Sequence, residues 1–235
     1  MCGIVGQIDY SGKKLDTQLI RQAASRLKNR GPDDSGVWAE GPARLAHQRL
    51  AILDISIDGH QPMQSIDGRY IIVFNGEIYN YLELRNELDD EKNAWKSRCD
   101  TEVILAAYSK WGRACLSHLR GMFAFAIWDR SEQSLFAARD RLGVKPFYYY
   151  ASNDSISFAS RPRALFALCS EIDWNIDAQA LRFYLELGYI PSPWSFHEKI
   201  CKLSPGHYLF FSHGTLRVER YWDFRSIKPC EEWES

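Results

Sequence analysis

Met122-Phe-Ala-Phe-Ala-Ile-Trp-Asp-Arg-Ser-Glu-Gln-Ser-Leu-Phe-Ala-Ala-Arg139 decides the fold class. Its two apolar runs, 122–129 and 135–139, are short and rich in aromatic residues, as strands are. The polar stretch Arg130-Ser-Glu-Gln133 between them reads as the turn of a hairpin. The same pattern recurs along the chain. Runs 37–40 and 43–50 flank Gly41-Pro42, runs 147–151 and 156–159 flank Asn153-Asp154, and runs 207–212 and 215–221 flank His213-Gly214. Residues 2–9 and 69–75 add two further strands. Helical periodicity appears over 19–27, ending at Gly31-Pro32, and over 101–111 and 177–187. A further helix follows Asn80, where Glu83 completes a capping box and Tyr81, Leu84 and Leu88 form the apolar stripe. Hairpins interspersed with a few helices predict antiparallel sheets with helices outside them, an α+β domain.

The remaining composition narrows the function. The 235 residues carry 29 Lys+Arg against 30 Asp+Glu. That balance argues against nucleic-acid binding and against a polybasic membrane-surface protein. No apolar run approaches the ~20 residues of a membrane span, and the N-terminus lacks a secretory pattern. The expected compartment is the cytoplasm. The six cysteines include no Cys-x-x-Cys pair, so thiols are expected rather than a disulfide framework. The six histidines form no zinc-binding pattern, and no metal site is expected. The βαβ rhythm and the glycine-rich phosphate loops are missing, so nothing local points to a nucleotide.

Cys2 is the residue with chemical promise. Removal of Met1 would leave a thiol and a free α-amine on one residue. An α-amine has a pKa of about 7.7–8.0 and a thiol about 8.5, so the amine can serve as base for its own side chain. Position alone also allows an ordinary small residue starting a strand.

What surrounds Cys2 changes that balance. Cys2-Gly-Ile-Val-Gly6, Arg30-Gly-Pro-Asp-Asp-Ser-Gly36, His47-Gln-Arg-Leu-Ala-Ile-Leu-Asp54, Gln61-Pro-Met63, Phe74-Asn-Gly-Glu-Ile-Tyr-Asn80, Asp100-Thr-Glu-Val-Ile-Leu105, Gly121 to Asp129 and Arg139-Asp-Arg-Leu-Gly-Val-Lys-Pro-Phe147 occur in order. Gly188-Tyr-Ile-Pro-Ser-Pro193 and Leu203-Ser-Pro-Gly-His-Tyr208 follow. Together they resemble the class II glutamine amidotransferase domain in its asparagine-synthetase form. The resemblance spans 2–224 and makes that one domain, with 225–235 a polar tail or linker. It implies the four-layer α-β-β-α sandwich of the N-terminal nucleophile hydrolases.

It also implies roles. Cys2 would be the nucleophile, forming a γ-glutamyl thioester and releasing ammonia. The Asn75 side-chain amide and the Gly76 N–H would form the oxyanion hole. Read without the family, Asn75-Gly76 is a turn ending a strand. Gly76 would also leave room for substrate beside the backbone. Arg49 would take the substrate carboxylate, for which a guanidinium fork is suited. Glu77 would help bind glutamine and Asp100 would take its ammonium, although an Asp ahead of a helix is equally a good N-cap. Leu50 and Ile52 would line the pocket. The basic residues of 139–145 read as fold landmarks rather than a phosphate site.

The resemblance implies L-glutamine as substrate and a synthetase domain or subunit as acceptor of ammonia; a homodimer stays open. No cofactor is expected in this chain. ATP and magnesium belong to a synthetase domain whose Ser-Gly-Gly-x-Asp-Ser loop is not in the sequence. Cys99 stands where the family usually has Ser, and Arg161-Pro162 stands where an acidic residue is common. Two alternatives remain at this level: a non-catalytic module of the same fold, and action on another γ-glutamyl amide such as a hydroxamate.

Overall fold

The structure, a computed structural model, describes residues 1–12, 16–89, 95–169 and 175–226. Among the described residues twelve strands build two sheets of six. The strands are β1 (Gly3–Asp9), β2 (Asp34–Glu40), β3 (Ala43–Arg49), β4 (Met63–Gln64), β5 (Tyr70–Ile78) and β6 (Gly121–Asp129). They continue as β7 (Ser134–Arg139), β8 (Tyr148–Ala151), β9 (Ser155–Ala159), β10 (Cys201–Lys202), β11 (His207–Ser212) and β12 (Thr215–Arg220). One sheet runs β10-β8-β9-β1-β3-β2 and the other β12-β11-β7-β6-β5-β4. Every described pairing between strands is antiparallel.

Side-chain alternation sorts each strand into two faces. Ile4 and Ile8 of β1, Ala43 and Leu45 of β3, and Ile71 and Val73 of β5 point between the sheets. There they meet Trp128, Phe147, Phe158 and Phe211, and burying each aromatic contributes ~2–3 kcal/mol. The opposite face of the first sheet carries Val5, Ala46 and Ala159 and packs on α1 (Thr17–Ser25) and α5 (Pro162–Leu168). The opposite face of the second carries Ile72, Phe74, Phe125 and Phe136. It packs on α2 (Tyr81–Glu87), α3 (Asp100–Trp111) and α4 (Cys115–His118). The order is therefore helix, sheet, sheet, helix, the expected four-layer α+β sandwich. The last helix, α6 (Ala178–Leu187), is capped by Asp177, whose carboxylate accepts the Ala180 N–H, and ends at Gly188 in the left-handed region.

The hairpins fall where the sequence puts them. Three local readings need correction. First, no turn forms at Asn75-Gly76: β5 runs on to Ile78, paired with β6 as far as Gly121. A nine-residue partner in β6 outweighs the local turn preference. Second, Asn80 makes no capping bond to α2. Its Nδ2 donates to the His118 carbonyl and its Oδ1 accepts the Arg120 N–H, tying β5 to the segment before β6. Third, α3 begins at Asp100, and Cys99 holds the cap position. The two-residue strands β4 and β10 are too short to show periodicity. The helix α5 escaped notice although Pro162 opens it, a usual N-terminal signal. The tail expected over 225–235 lies outside the described residues beyond 226.

Candidate active site

The rows of side chains between the sheets end in polar residues. Along β1 the inward row runs back from Ile8 and Ile4 to Cys2. Along β3 it runs Ala43, Leu45, His47, Arg49. Along β5 it runs Ile71, Val73, Asn75. The apolar members close the core, and the terminal members open into one cavity of about 330 Å³. Its lining includes all eight expected residues: Cys2, Arg49, Leu50, Ile52, Asn75, Gly76, Glu77 and Asp100. Gln61, Phe74, Met122 and Lys145 also line it.

Several bonds hold the N-terminus there. Ser160 accepts the Ile4 N–H on its hydroxyl at 3.0 Å and donates its own N–H to the Ile4 carbonyl at 2.9 Å. Arg30 donates Nε–H to the Cys2 carbonyl at 2.9 Å. Arg30 opens one of the quoted motifs, but no site role was expected of it. The Leu50 N–H reaches the Cys2 Sγ at 3.4 Å. Burial pushes the Cys2 thiol above its ordinary pKa, while the Leu50 bond and the Arg49 charge oppose this. Such a thiol stays protonated near neutral pH and needs a base to become a nucleophile.

Arg49 is buried and directed by the loop that follows it. Its guanidinium donates to the Ser56 carbonyl at 2.8 Å and to the Asp54 carbonyl. Gly59 is required for this, because a Cβ there would lie 2.0 Å from the Arg49 Nη2. Asp33 anchors the start of the same loop by accepting the Ala51 N–H at 2.9 Å.

The β5 edge is the unusual part of the site. On this edge β4 reaches only Ile71 and Ile72. Beyond it, side chains take over the ladder. Gln61 Oε1 accepts the Phe74 N–H at 2.7 Å, and Asp100 Oδ2 accepts the Ile78 N–H at 2.9 Å. In an antiparallel strand alternate residues face the same edge. The Gly76 N–H, between these two, therefore faces the same open edge. The Asn75 Nδ2 is buried and has no hydrogen-bond partner. An orphaned buried donor costs ~1–3 kcal/mol, so its presence calls for a chemical reason. A pair of donors at this point can hold an oxyanion. The neighbouring strand also requires glycine at 76: a Cβ there would lie 2.3 Å from the Met122 carbonyl.

The acidic groups are perturbed as well. Asp100 is pushed up to about 7, chiefly by burial, with the nearby Glu77 charge adding to the shift. Glu77 is raised by burial and partly restored by Lys145. Lys145, expected as a fold landmark, thus faces this cavity. The rest of its segment is structural. Arg139 donates to the carbonyls of Gly143, Lys145 and Leu203. A larger cavity of about 690 Å³ beside it is also lined by Lys202 and Arg220, but these engage the Ile190 carbonyl and Asp223. Among the described residues no group of His, Cys, Asp or Glu is placed to hold a metal ion. No described helix is long and apolar enough to cross a membrane.

Two stacked antiparallel sheets thus bring Cys2, the second residue of the chain, into one cavity with the unpartnered Asn75 amide, and this fold is that of known amidotransferases. The B. subtilis glutamine phosphoribosylpyrophosphate amidotransferase shares the fold with a TM-score of 0.68. That match is at 19% identity and covers 94% of this chain and 49% of the other. The model of the glutamine amidotransferase domain matches residues 1–222, and the chain belongs to that family. "Asparagine synthetase [glutamine-hydrolyzing] 3" of Bacillus subtilis is 39% identical over 238 residues, covering all of this chain and 38% of that protein. "Putative asparagine synthetase [glutamine-hydrolyzing] 2" of Methanocaldococcus jannaschii is also 39% identical, over 97% of this chain and 48% of that protein. The chain thus spans less than half the length of either relative.

Proposed function

We propose that this chain is the glutamine-cleaving part of an asparagine-synthetase-like amidotransferase. The observation that carries the reading is the orphaned Asn75 Nδ2, in the cavity that also holds Cys2. In the proposed reaction Met1 is removed and the freed Cys2 amine takes the thiol proton. The thiolate attacks the side-chain carbonyl of L-glutamine. Asn75 Nδ2 and the Gly76 N–H hold the resulting oxyanion. The amine returns the proton to the departing nitrogen, ammonia leaves, and a γ-glutamyl thioester remains. Water activated by the same amine then releases glutamate. Arg49 takes the α-carboxylate, and Asp100 with Glu77 takes the α-ammonium. Leu50 and Ile52 line the chamber.

Cys2, Cys99, Cys115 and Cys201 are free thiols, which supports a cytoplasmic setting. Neither step uses a cofactor in this chain. The ammonia would pass to a synthetase domain or subunit that activates its acceptor carboxylate with ATP and magnesium.

The test compares wild type with Cys2→Ala, reading intact mass and glutamate release from L-glutamine. Wild type lacking Met1 should turn over, and the variant should lose at least ~10⁴-fold, as expected for loss of a nucleophile. Equal rates from the two proteins would refute the reading.

A further inference from the structure

His47 is fully buried between the sheets, in the same inward row as Arg49 and two residues before it. Its Nε2 lies 2.9 Å from the Phe74 carbonyl. A carbonyl only accepts, so Nε2 carries the hydrogen of this bond. Its Nδ1 has no partner. Gln61, also buried, takes the other backbone group of the same residue: its Oε1 accepts the Phe74 N–H at 2.7 Å. Its Nε2 donates to the Thr101 hydroxyl at 3.1 Å, next to Asp100.

Both bonds lie on the β5 edge that β4 leaves unpaired. Without them the residue before Asn75 would have no hydrogen bond on that side. A strand with an open edge is free to twist, and Asn75 and Gly76 would move with it. A displacement of about 1 Å at a catalytic group can cost ~10²-fold in rate.

We infer that His47 and Gln61 are positioning residues, which clamp the Phe74 backbone and so aim the Asn75 amide and the Gly76 N–H at the carbonyl attacked by Cys2. This inference rests on the proposed glutaminase reading. His47 links two ends of the substrate. Through β3 it is rigidly joined to Arg49, which holds the amino-acid end, and through Phe74 it is joined to the oxyanion donors. Gln61 makes the corresponding link to α3 and Asp100. Burial lowers the His47 pKa to about 4, so the ring stays neutral and its donor stays in place through the physiological range.

A purely structural histidine would lose stability on substitution without separating binding from chemistry. The experiment therefore uses the full chain with His47→Leu, His47→Gln and Gln61→Leu. Steady-state hydrolysis of L-glutamine gives kcat, and calorimetry on the Cys2→Ala background gives the glutamine Kd. His47→Leu should lower kcat ~10–100-fold while Kd moves less than about twofold. His47→Gln keeps an amide donor at the same reach and should recover most of the rate. Gln61→Leu carries the same expectation as His47→Leu and decides the matter if that variant does not fold. An unchanged kcat, a parallel loss of kcat and affinity, or a Gln variant as impaired as the Leu variant would each overturn the inference. Wild type without turnover would refute the glutaminase reading instead. Amide exchange over 74–78 then decides this one: faster exchange in the Leu variants alone supports the clamp, and equal exchange in all overturns it.

Discussion

Strand β6 separates two polar segments that treat their hydrogen bonds in opposite ways. On one side β7 ends in the loop 139–145. There the Asp140 carboxylate accepts the N–H groups of Phe123, Leu142, Val144 and Lys145, at 2.9–3.2 Å. Arg139 answers three carbonyls at 2.6–2.7 Å. On the other side β5 carries Asn75 to Glu77, where a buried amide has no partner and a backbone N–H faces an open edge. Both segments are rich in polar groups. The satisfied one is a joint that holds strands together. In the proposed reading, the unsatisfied one awaits a ligand group that supplies the missing acceptor. Polar residues in a core thus separate into structure and chemistry by whether their bonds are complete.

Three measurements can break or sharpen that contrast. Asp140→Ala strands four N–H groups, those of Phe123 and Lys145 buried, and should destabilise the fold by ~3–5 kcal/mol. Turnover per folded molecule should stay near wild type, as read by denaturant unfolding and by assay below the new midpoint. A stable but inactive variant would move Asp140 into the site. Asn75→Ala should do the reverse. It should lower kcat ~10²–10³-fold, the usual loss of one oxyanion donor, while the melting temperature holds or rises. A large drop in Tm would make Asn75 structural.

The smallest effect comes from pH. Asp100, ordinarily near 3.8, titrates near 7 here. In its proposed role it attracts the substrate ammonium when ionised, above about pH 7, and that attraction fades below. Glutamine affinity should therefore fall as pH falls through about 7, by up to ~10-fold per unit. Calorimetry on Cys2→Ala between pH 6 and 8 reads this, and a flat profile would remove Asp100 from the binding site. The effect on stability has the opposite sign. A carboxyl whose folded pKa is raised favours the fold at low pH and loses that contribution as pH rises toward 7. Asp100→Asn should consequently be the more stable protein at pH 8 and bind glutamine less well.

The candidate site was legible in unequal parts. Cys2, Arg49 and Asn75 could be chosen because their residue types suit a nucleophile, a carboxylate fork and an oxyanion donor, and because the surrounding motifs resemble one family. Gln61 and His47 stand inside those motifs, yet nothing local distinguishes them from core filling. Their partner is the backbone of Phe74, and a bond from a side chain to distant backbone leaves no mark on spacing. The Asn75-Gly76 turn was misread for a related reason. Local turn preference is real, but β6 arrives from more than forty residues away and imposes extension. Asn80 shows the same limit: its amide was more useful joining two segments than capping its own helix.

Period-two alternation and hairpin spacing are properties of the chain alone, because a strand's faces follow from backbone geometry. They pointed to an α+β domain and to which side chains share a face, while the four-layer sandwich was implied only by the family resemblance. Tertiary structure alone decided that three inward rows end at the same mouth, that one edge of β5 stays open there, and that the Asp100 carboxylate reaches across to accept the Ile78 N–H. These depend on how two sheets stack and where a neighbouring strand stops, which is settled by packing across the whole core and not by any local run of residues.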